Sequence, residues 1–402
     1  MNVLMVTSSY PRFPGDVVAP FIESIARGVA ARGHRVDVVL PHHPELHRRG
    51  DEPVSFHPYR YAPLERWSRW GYAQSLRRDV SVRAGAFLLA PLVALALRRI
   101  VAERLRATRY DVVHAHWVVP NAALVSGLVR SHGVPLVVSL HGSDVFVAET
   151  LLPARVLAGR TLRQAGAVTA CSADLHRRAL RLGARPERTR TVPYGVDSVE
   201  DGDVDVGAVR AQLGAPPGTT LVLALGRLVE KKGFAYLIQA AARVPGVHVA
   251  LAGDGDLRGA LEAQVVTAGA PVRLVGALDR RSVAAALAAA EIVVVPSVVD
   301  PAGNVDGLPN VLLEAMAAGC AVIASRAAGI PDVMTDGVDG ILVEEKDVAG
   351  LAAALTRLAG DPALRQRLGS AARDMVTRRL SWDRAARTFE ESYAAAAALD
   401  AR

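Results

Sequence analysis

Short apolar runs alternate with amphipathic stretches along the first half of this chain, and the series starts afresh in the second half. In the first half, residues 3–6, 36–40, 112–114, 136–139 and 168–170 read as strands. Between the first two, Phe21, Ile25 and Val29, with Ile22 and Ala26 beside them, keep helical spacing until Gly33 closes the run. The series restarts at 221–225, 247–251, 272–275, 292–295, 321–324 and 341–343, with helical stretches near 233–243, 257–268, 281–290, 309–318 and 347–358. Strands alternating with helices demand parallel sheets covered on both faces. Two such series in 402 residues, more than one core sustains, predict an α/β chain of two doubly wound domains. Ligands in this architecture lie at the carboxyl ends of strands, so a central cleft between the domains is the expected site.

The boundary is expected near 192–218, where Pro193-Tyr194-Gly195-Val196-Asp197 leads through an acidic stretch to Pro216-Pro217-Gly218. This gives domains of 1–195 and 196–380, with a helix in 381–402 packing back toward the first domain. Trp382, Ala385, Ala386 and Phe389 would lie on one side of that helix.

A hydrophobic content of 51% excludes disorder, and no run reaches the length of a membrane-spanning helix. The N-terminus reads as a strand rather than a signal peptide. The two cysteines, Cys171 and Cys320, lack metal-ligand spacing, so a reduced, cytoplasmic protein is expected. The net charge of +7 favours anionic partners, whether phosphorylated ligands or an anionic membrane surface. No nucleic-acid partner is expected.

One segment departs from the alternation. Residues 66–99 combine Arg66, Trp67, Arg69, Trp70, Tyr72, Arg77 and Arg78 with an apolar run from Ala84 to Leu97, then Arg98 and Arg99. Pro91 interrupts that run. The pattern suits an interfacial helix at the inner face of the cell membrane, with Trp67, Trp70 and Tyr72 at headgroup level; it equally suits a buried helix with a solvated basic end.

The segment from Val305 to Gly319 carries the most chemistry. Asp306, Gly307, Leu308 and Pro309 form a loop, and a helix follows that Pro309 opens and Gly319 closes. Apolar residues surround Glu314, which reads as a carboxylate away from the solvated face and in need of a ligand or an internal arginine. The helix start offers free N–H groups and a positive dipole end to a phosphate.

Gly226-Arg227-Leu228-Val229-Glu230-Lys231-Lys232-Gly233 forms a strand-to-helix turn in which Arg227 and Lys232 could meet one diphosphate. The chain has only three lysines, Lys231, Lys232 and Lys346, and no Walker loop. Gly253, in Gly253-Asp254-Gly255, and Gly15, in Pro14-Gly15-Asp16, could each bring backbone close to a ligand, or be ordinary turns. His114-Ala115-His116-Trp117 and Leu140-His141-Gly142-Ser143-Asp144 each place histidine at a strand end. Asp203-Val204-Asp205 has a metal-binding look but falls in the linker, and is set aside.

Taken in order, these motifs resemble retaining glycosyltransferase family 4, a group with the GT-B fold of two Rossmann-like domains facing a central cleft. The resemblance rests on the first strand and glycine loop, Arg32-Gly33-His34-Arg35-Val36, the two histidine strands, Tyr194-Gly195-Val196-Asp197, Gly226-Arg227 with Lys232-Gly233, Gly253-Asp254-Gly255, Val295-Pro296-Ser297 and the stretch from Leu313 to Gly319. It implies a nucleotide-diphosphate sugar as donor, a glycan or lipid-linked acceptor, no divalent metal and no other cofactor. Arg227 and Lys232 would neutralise the diphosphate and Glu314 would hold the ribose. The backbone of Gly307, Leu308, Pro309 and Asn310 would approach the sugar and phosphate. His116 would lie near the transferred sugar, with His141 a second candidate. Asp306 stands where the family usually has glutamate, ahead of Glu314. A GT-B nucleotide-sugar epimerase, a pyridoxal-dependent phosphorylase and a non-enzymatic nucleotide-sugar sensor are the competing readings.

Overall fold

The computed structural model describes residues 1–48, 50–62, 70–72, 76–77, 81–82, 84–196 and 204–400, without the side chains of 76–77, 81–82, 84–88 and 400. The chain forms two compact units: Met1–Tyr194 together with the segment from Trp382 onward, and Gly195–Ser381.

The strands of the first unit are β1 (Asn2–Val6), β2 (Arg35–Pro41), β3 (Val54–Tyr59), a two-residue pair β4 (Leu76–Arg77) and β5 (Ser81–Val82), β6 (Val112–His116), β7 (Leu136–Leu140), β8 (Ala167–Ala170) and β9 (Thr189–Thr191). Seven of them form one parallel sheet in the order β3-β2-β1-β6-β7-β8-β9. Val3, Leu4, Met5 and Val6 are all fully buried, as expected of a central strand covered on both faces. Winding reverses between β1 and β6, so the switch point lies beyond Val6 and His116.

The helix Trp382–Asp400 belongs to this unit. Ala385, Phe389, Tyr393 and Ala396 share a core with Ile22, Ile25 and Val29 of the helix Pro20–Ala31. At its edge, Arg32 Nε donates to Glu390 at 2.7 Å.

The helix Ala84–Ala107 runs through Pro91 and beyond the expected apolar run. Val93, Leu97 and Val101 are buried, while Leu92 and Leu95 are exposed and line a groove of about 520 Å³ with Tyr59, Arg60, Tyr61 and Arg99. Arg66, Trp67, Arg69 and Arg78 lie outside the described residues, as does the side chain of Arg77. Tyr72 corrects the expectation for this segment: it is buried, and its hydroxyl donates to Pro41 O at 2.8 Å, so it does not sit at headgroup level. An aromatic next to basic residues reads the same in sequence whether its hydroxyl meets lipid or a strand carbonyl. Among the described residues no helix is long and apolar enough to cross a membrane.

The second unit holds β10 (Thr220–Leu225), β11 (Val247–Ala252), β12 (Val272–Gly276), β13 (Ile292–Val295), β14 (Ala321–Ser325) and β15 (Ile341–Val343). They form a parallel sheet in the order β12-β11-β10-β13-β14-β15, with the switch point between β10 and β13. Val222, Ala224, Val249 and Ile323 join Leu237, Ile238 and Leu355 of the flanking helices in its core. Asp205 accepts from Ala208 N at 3.0 Å and caps the helix Val206–Gln212; Asp279, Asp347 and Asp361 cap later helices in the same way.

Candidate active site

The two segments that follow β10 and β13 meet at the switch point of the second unit. After β10 the chain turns through Gly226 and Arg227 into a short helical turn, Glu230–Lys232, and then Gly233. A Cβ on Gly233, at φ +68°, would lie 1.8 Å from Pro296 O in the segment after β13. Gly253, at φ +145° after β11, has no more room: its Cβ would lie 1.8 Å from Gly226 O. These glycines are required because neighbouring loops touch through their backbones.

That packing brings Asp306 onto the lysines. Lys232 Nζ lies 2.6 Å from Asp306 Oδ2, and Lys231 Nζ 3.3 Å from Oδ1. Burial pushes the Asp306 carboxyl up, but Lys232, Lys231 and Arg227 outweigh it and hold the group below the usual carboxylate range. Lys232 and Arg227 were singled out from sequence, and so was Asp306; the role of Lys231 was missed. Its only sequence signal was the clustering of two of three lysines in one turn.

The helix Asn310–Ala317 begins directly after this loop. Pro309 is its N-cap and contributes no side-chain hydrogen bond, so no cap side chain occupies the first N–H groups. Gly307, Leu308 and Pro309 are buried and Asn310 is half-buried. Glu314 is exposed, which corrects the expectation that it avoids the solvated face. Leu312, Leu313, Ala315, Met316 and Ala317 are buried, and the open stripe of the helix carries Asn310, Glu314 and Ala318, each four residues apart. Apolar neighbours in sequence therefore did not mean apolar neighbours in space. Arg227 is exposed as well, so both reach solvent from this unit.

In the first unit, His116 ends β6 and His141 follows β7. His116 Nδ1 and His141 Nε2 are 3.1 Å apart, and His141 Nδ1 lies 2.8 Å from the Tyr194 hydroxyl. Phe21 stacks on Tyr194 at 4.8 Å between ring centroids and tilts against His141 at 4.9 Å. Asp144 fixes the turn after His141, accepting from His141 N, Gly142 N and Val118 N at 3.2, 3.0 and 2.9 Å. Sequence reasoning missed Phe21 and Tyr194 as partners because they come from segments distant from the histidines, and missed Asp144, three residues after His141, because its role is to accept from backbone N–H groups.

His116 is fully buried, His141 half-buried. Burial pushes the His116 imidazole down to about 3, and drives His141 well below the ordinary histidine value with His116 adding to it. His116 Nε2 has no hydrogen-bond partner among the described residues. His114, by contrast, is satisfied at both nitrogens, by Tyr393 at 2.8 Å and Ser139 at 2.6 Å, and is structural. Gly15 lies at φ +88° in an exposed loop after β1, held by Arg12 Nε donating to Asp16 at 2.7 Å.

Residues 18–195 match the family described as Glycosyl transferase 4-like domain, and residues 205–375 match Glycosyl transferases group 1. The chain is 28% identical over 423 residues to the glycogen synthase of Mycobacterium tuberculosis, covering 98% of this chain and 95% of the relative. It is 31% identical over 319 residues to the D-inositol 3-phosphate glycosyltransferase of Geodermatophilus obscurus, covering 72% and 67%. Its fold matches the crystal structure of Anabaena HepE in complex with UDP-glucose with a TM-score of 0.75 at 22% identity, covering 98% and 99% of the two chains. With two parallel α/β units and these relatives, the chain belongs to the family 4, group 1 glycosyl transferases of GT-B fold, and is a glycosyltransferase.

Proposed function

We propose that this enzyme moves a sugar, with retention of configuration, from a nucleotide-diphosphate donor to a hydroxyl of a glycan or lipid-linked acceptor. The observation that carries the reading is the pair of cations Arg227 and Lys232 around Asp306 at the switch point of the second unit, on the loop that leads into the uncapped start of Asn310–Ala317. Cations at a helix N-terminus suit a departing diphosphate, and preorganised donors of this kind are worth about 2.7–4 kcal/mol each. In this reading Glu314, exposed one turn into that helix, accepts from the ribose hydroxyls.

The acid–base environment supports same-face transfer. A general base works best with a pKa near the operating pH, whereas His116 is pushed down to about 3 and Asp306 lies below the usual carboxylate range. Neither is suited to take the acceptor proton. The sugar C1–O bond to the diphosphate breaks, the acceptor oxygen bonds to C1 on the same face, and the departing phosphate oxygen takes the proton. Arg227 and Lys232 neutralise the charge that develops, so no divalent metal is called for. His116 and His141, both neutral, serve the transferred sugar and acceptor through hydrogen bonds.

Proton NMR of the product formed from an α-linked nucleotide sugar tests this directly. The α-anomer is expected as the first product; a first-formed β-anomer would contradict same-face attack.

A further inference from the structure

Asp306 faces two lysines that differ in burial. The Lys231 side chain is 6% exposed and that of Lys232 17%. Val298 N donates to Lys231 O at 2.8 Å, which ties this residue's backbone to the segment after β13. An ammonium buried this deeply needs a counter-ion, and Asp306 Oδ1 is 3.3 Å away. Lys232 is more open but is held at 2.6 Å by Oδ2 of the same carboxylate. A donor diphosphate must therefore compete with Asp306 for Lys232. If Lys232 were the only cation on Asp306, its turn toward phosphate would leave a buried carboxylate uncompensated, which is strongly unfavourable.

We propose that Lys231 is the resident counter-ion of Asp306, a positioning residue that holds the carboxylate in place and thereby releases Lys232 to the donor diphosphate. The proposal rests on the assignment of Lys232 to that diphosphate. Lys231 itself touches no substrate; it acts through Asp306.

The test is calorimetric titration of UDP, GDP and ADP into the full-length wild type, Lys231→Met, Lys231→Arg and the double variant Lys231→Met/Asp306→Asn. Lys231→Met is expected to weaken nucleoside-diphosphate binding by roughly tenfold, within the range for residues of one salt-bridge network. Lys231→Arg should retain binding. Adding Asp306→Asn to Lys231→Met should restore it, because a neutral amide no longer holds Lys232 back; a purely packing role for Lys231 would show no such rescue. Wild-type affinity in Lys231→Met, or no rescue in the double variant, overturns the proposal. If Lys231→Met fails to fold, a double variant that folds and binds supports the pairing, and one that does neither overturns it. A wild type that binds none of the three nucleotides overturns the donor assignment itself, and the proposal with it.

Discussion

Both units place their candidate residues at the switch point of a parallel sheet, yet one site is built of neutral rings and the other of paired charges. In the first unit His116 and His141 are stripped of charge by burial; the two rings stack on each other, and His141 packs against Phe21 and Tyr194. In the second, Asp306 is kept ionised by the lysines that touch it. Burial penalises charge at both places, and what differs is whether an opposite charge lies within reach. Under the proposed function, the first site would meet neutral hydroxyls and the second a diphosphate.

The largest effect should come from removing the charges. Arg227→Ala/Lys232→Ala is expected to reduce turnover by at least roughly 10²–10³ with the fold intact, since each donor to a developing charge is worth that much. Normal turnover in the double variant would erase the contrast between the units. Glu314→Gln comes next: nucleotide-sugar binding should weaken by about 1.5–3 kcal/mol, the worth of hydrogen bonds to a charged group. Because Glu314 is exposed, the melting temperature should hold. A lowered melting point with unchanged affinity would make it a structural carboxylate.

A smaller effect separates the units by pH. The buried histidines have folded pKa values below the ordinary 6.5, so unfolding takes up protons and their contribution to stability is complete above that value. It is lost progressively as the pH falls below 6.5, for His116 down to about 3. Asp306, also depressed, loses its contribution only below the ordinary carboxylate value, near 4. The described tryptophans, Trp70, Trp117 and Trp382, belong to the first unit. The urea midpoint followed by tryptophan fluorescence should therefore fall between pH 6.5 and 4.5. A midpoint that stays level across that range would mean the histidines are not held neutral.

The sequence reading reached the buried centre of each sheet and weakened at the edges. Central strands such as β1, β10 and β13 are continuous apolar runs because helices cover both faces. The strands of the first parallel sheet that were missed, β3 and β9, are its two edges. Val54-Ser55-Phe56-His57-Pro58-Tyr59 and Thr189-Arg190-Thr191 carry proline and polar residues that only an edge accepts, and so look like loop. The positions of Lys232 and His116 were legible because a short turn after β10 and the end of β6 hold them near the switch points. Partnerships were not. That Tyr194 meets His141, or Lys231 meets Asp306, depends on how segments distant in the chain approach one another. Glu314 shows the remaining limit, since a helix of mostly apolar residues still has one open stripe and its register is set by tertiary packing.

The contrast between the units is tested most directly by calorimetry of UDP, GDP and ADP binding to wild type, Lys232→Ala and His116→Ala, with sugar transfer measured on the same preparations. Lys232→Ala should lose both affinity and transfer, whereas His116→Ala should bind nucleotide as the wild type does while transfer falls. An equal loss of nucleotide affinity in His116→Ala would contradict the division of labour, and unimpaired transfer would leave His116 a structural residue.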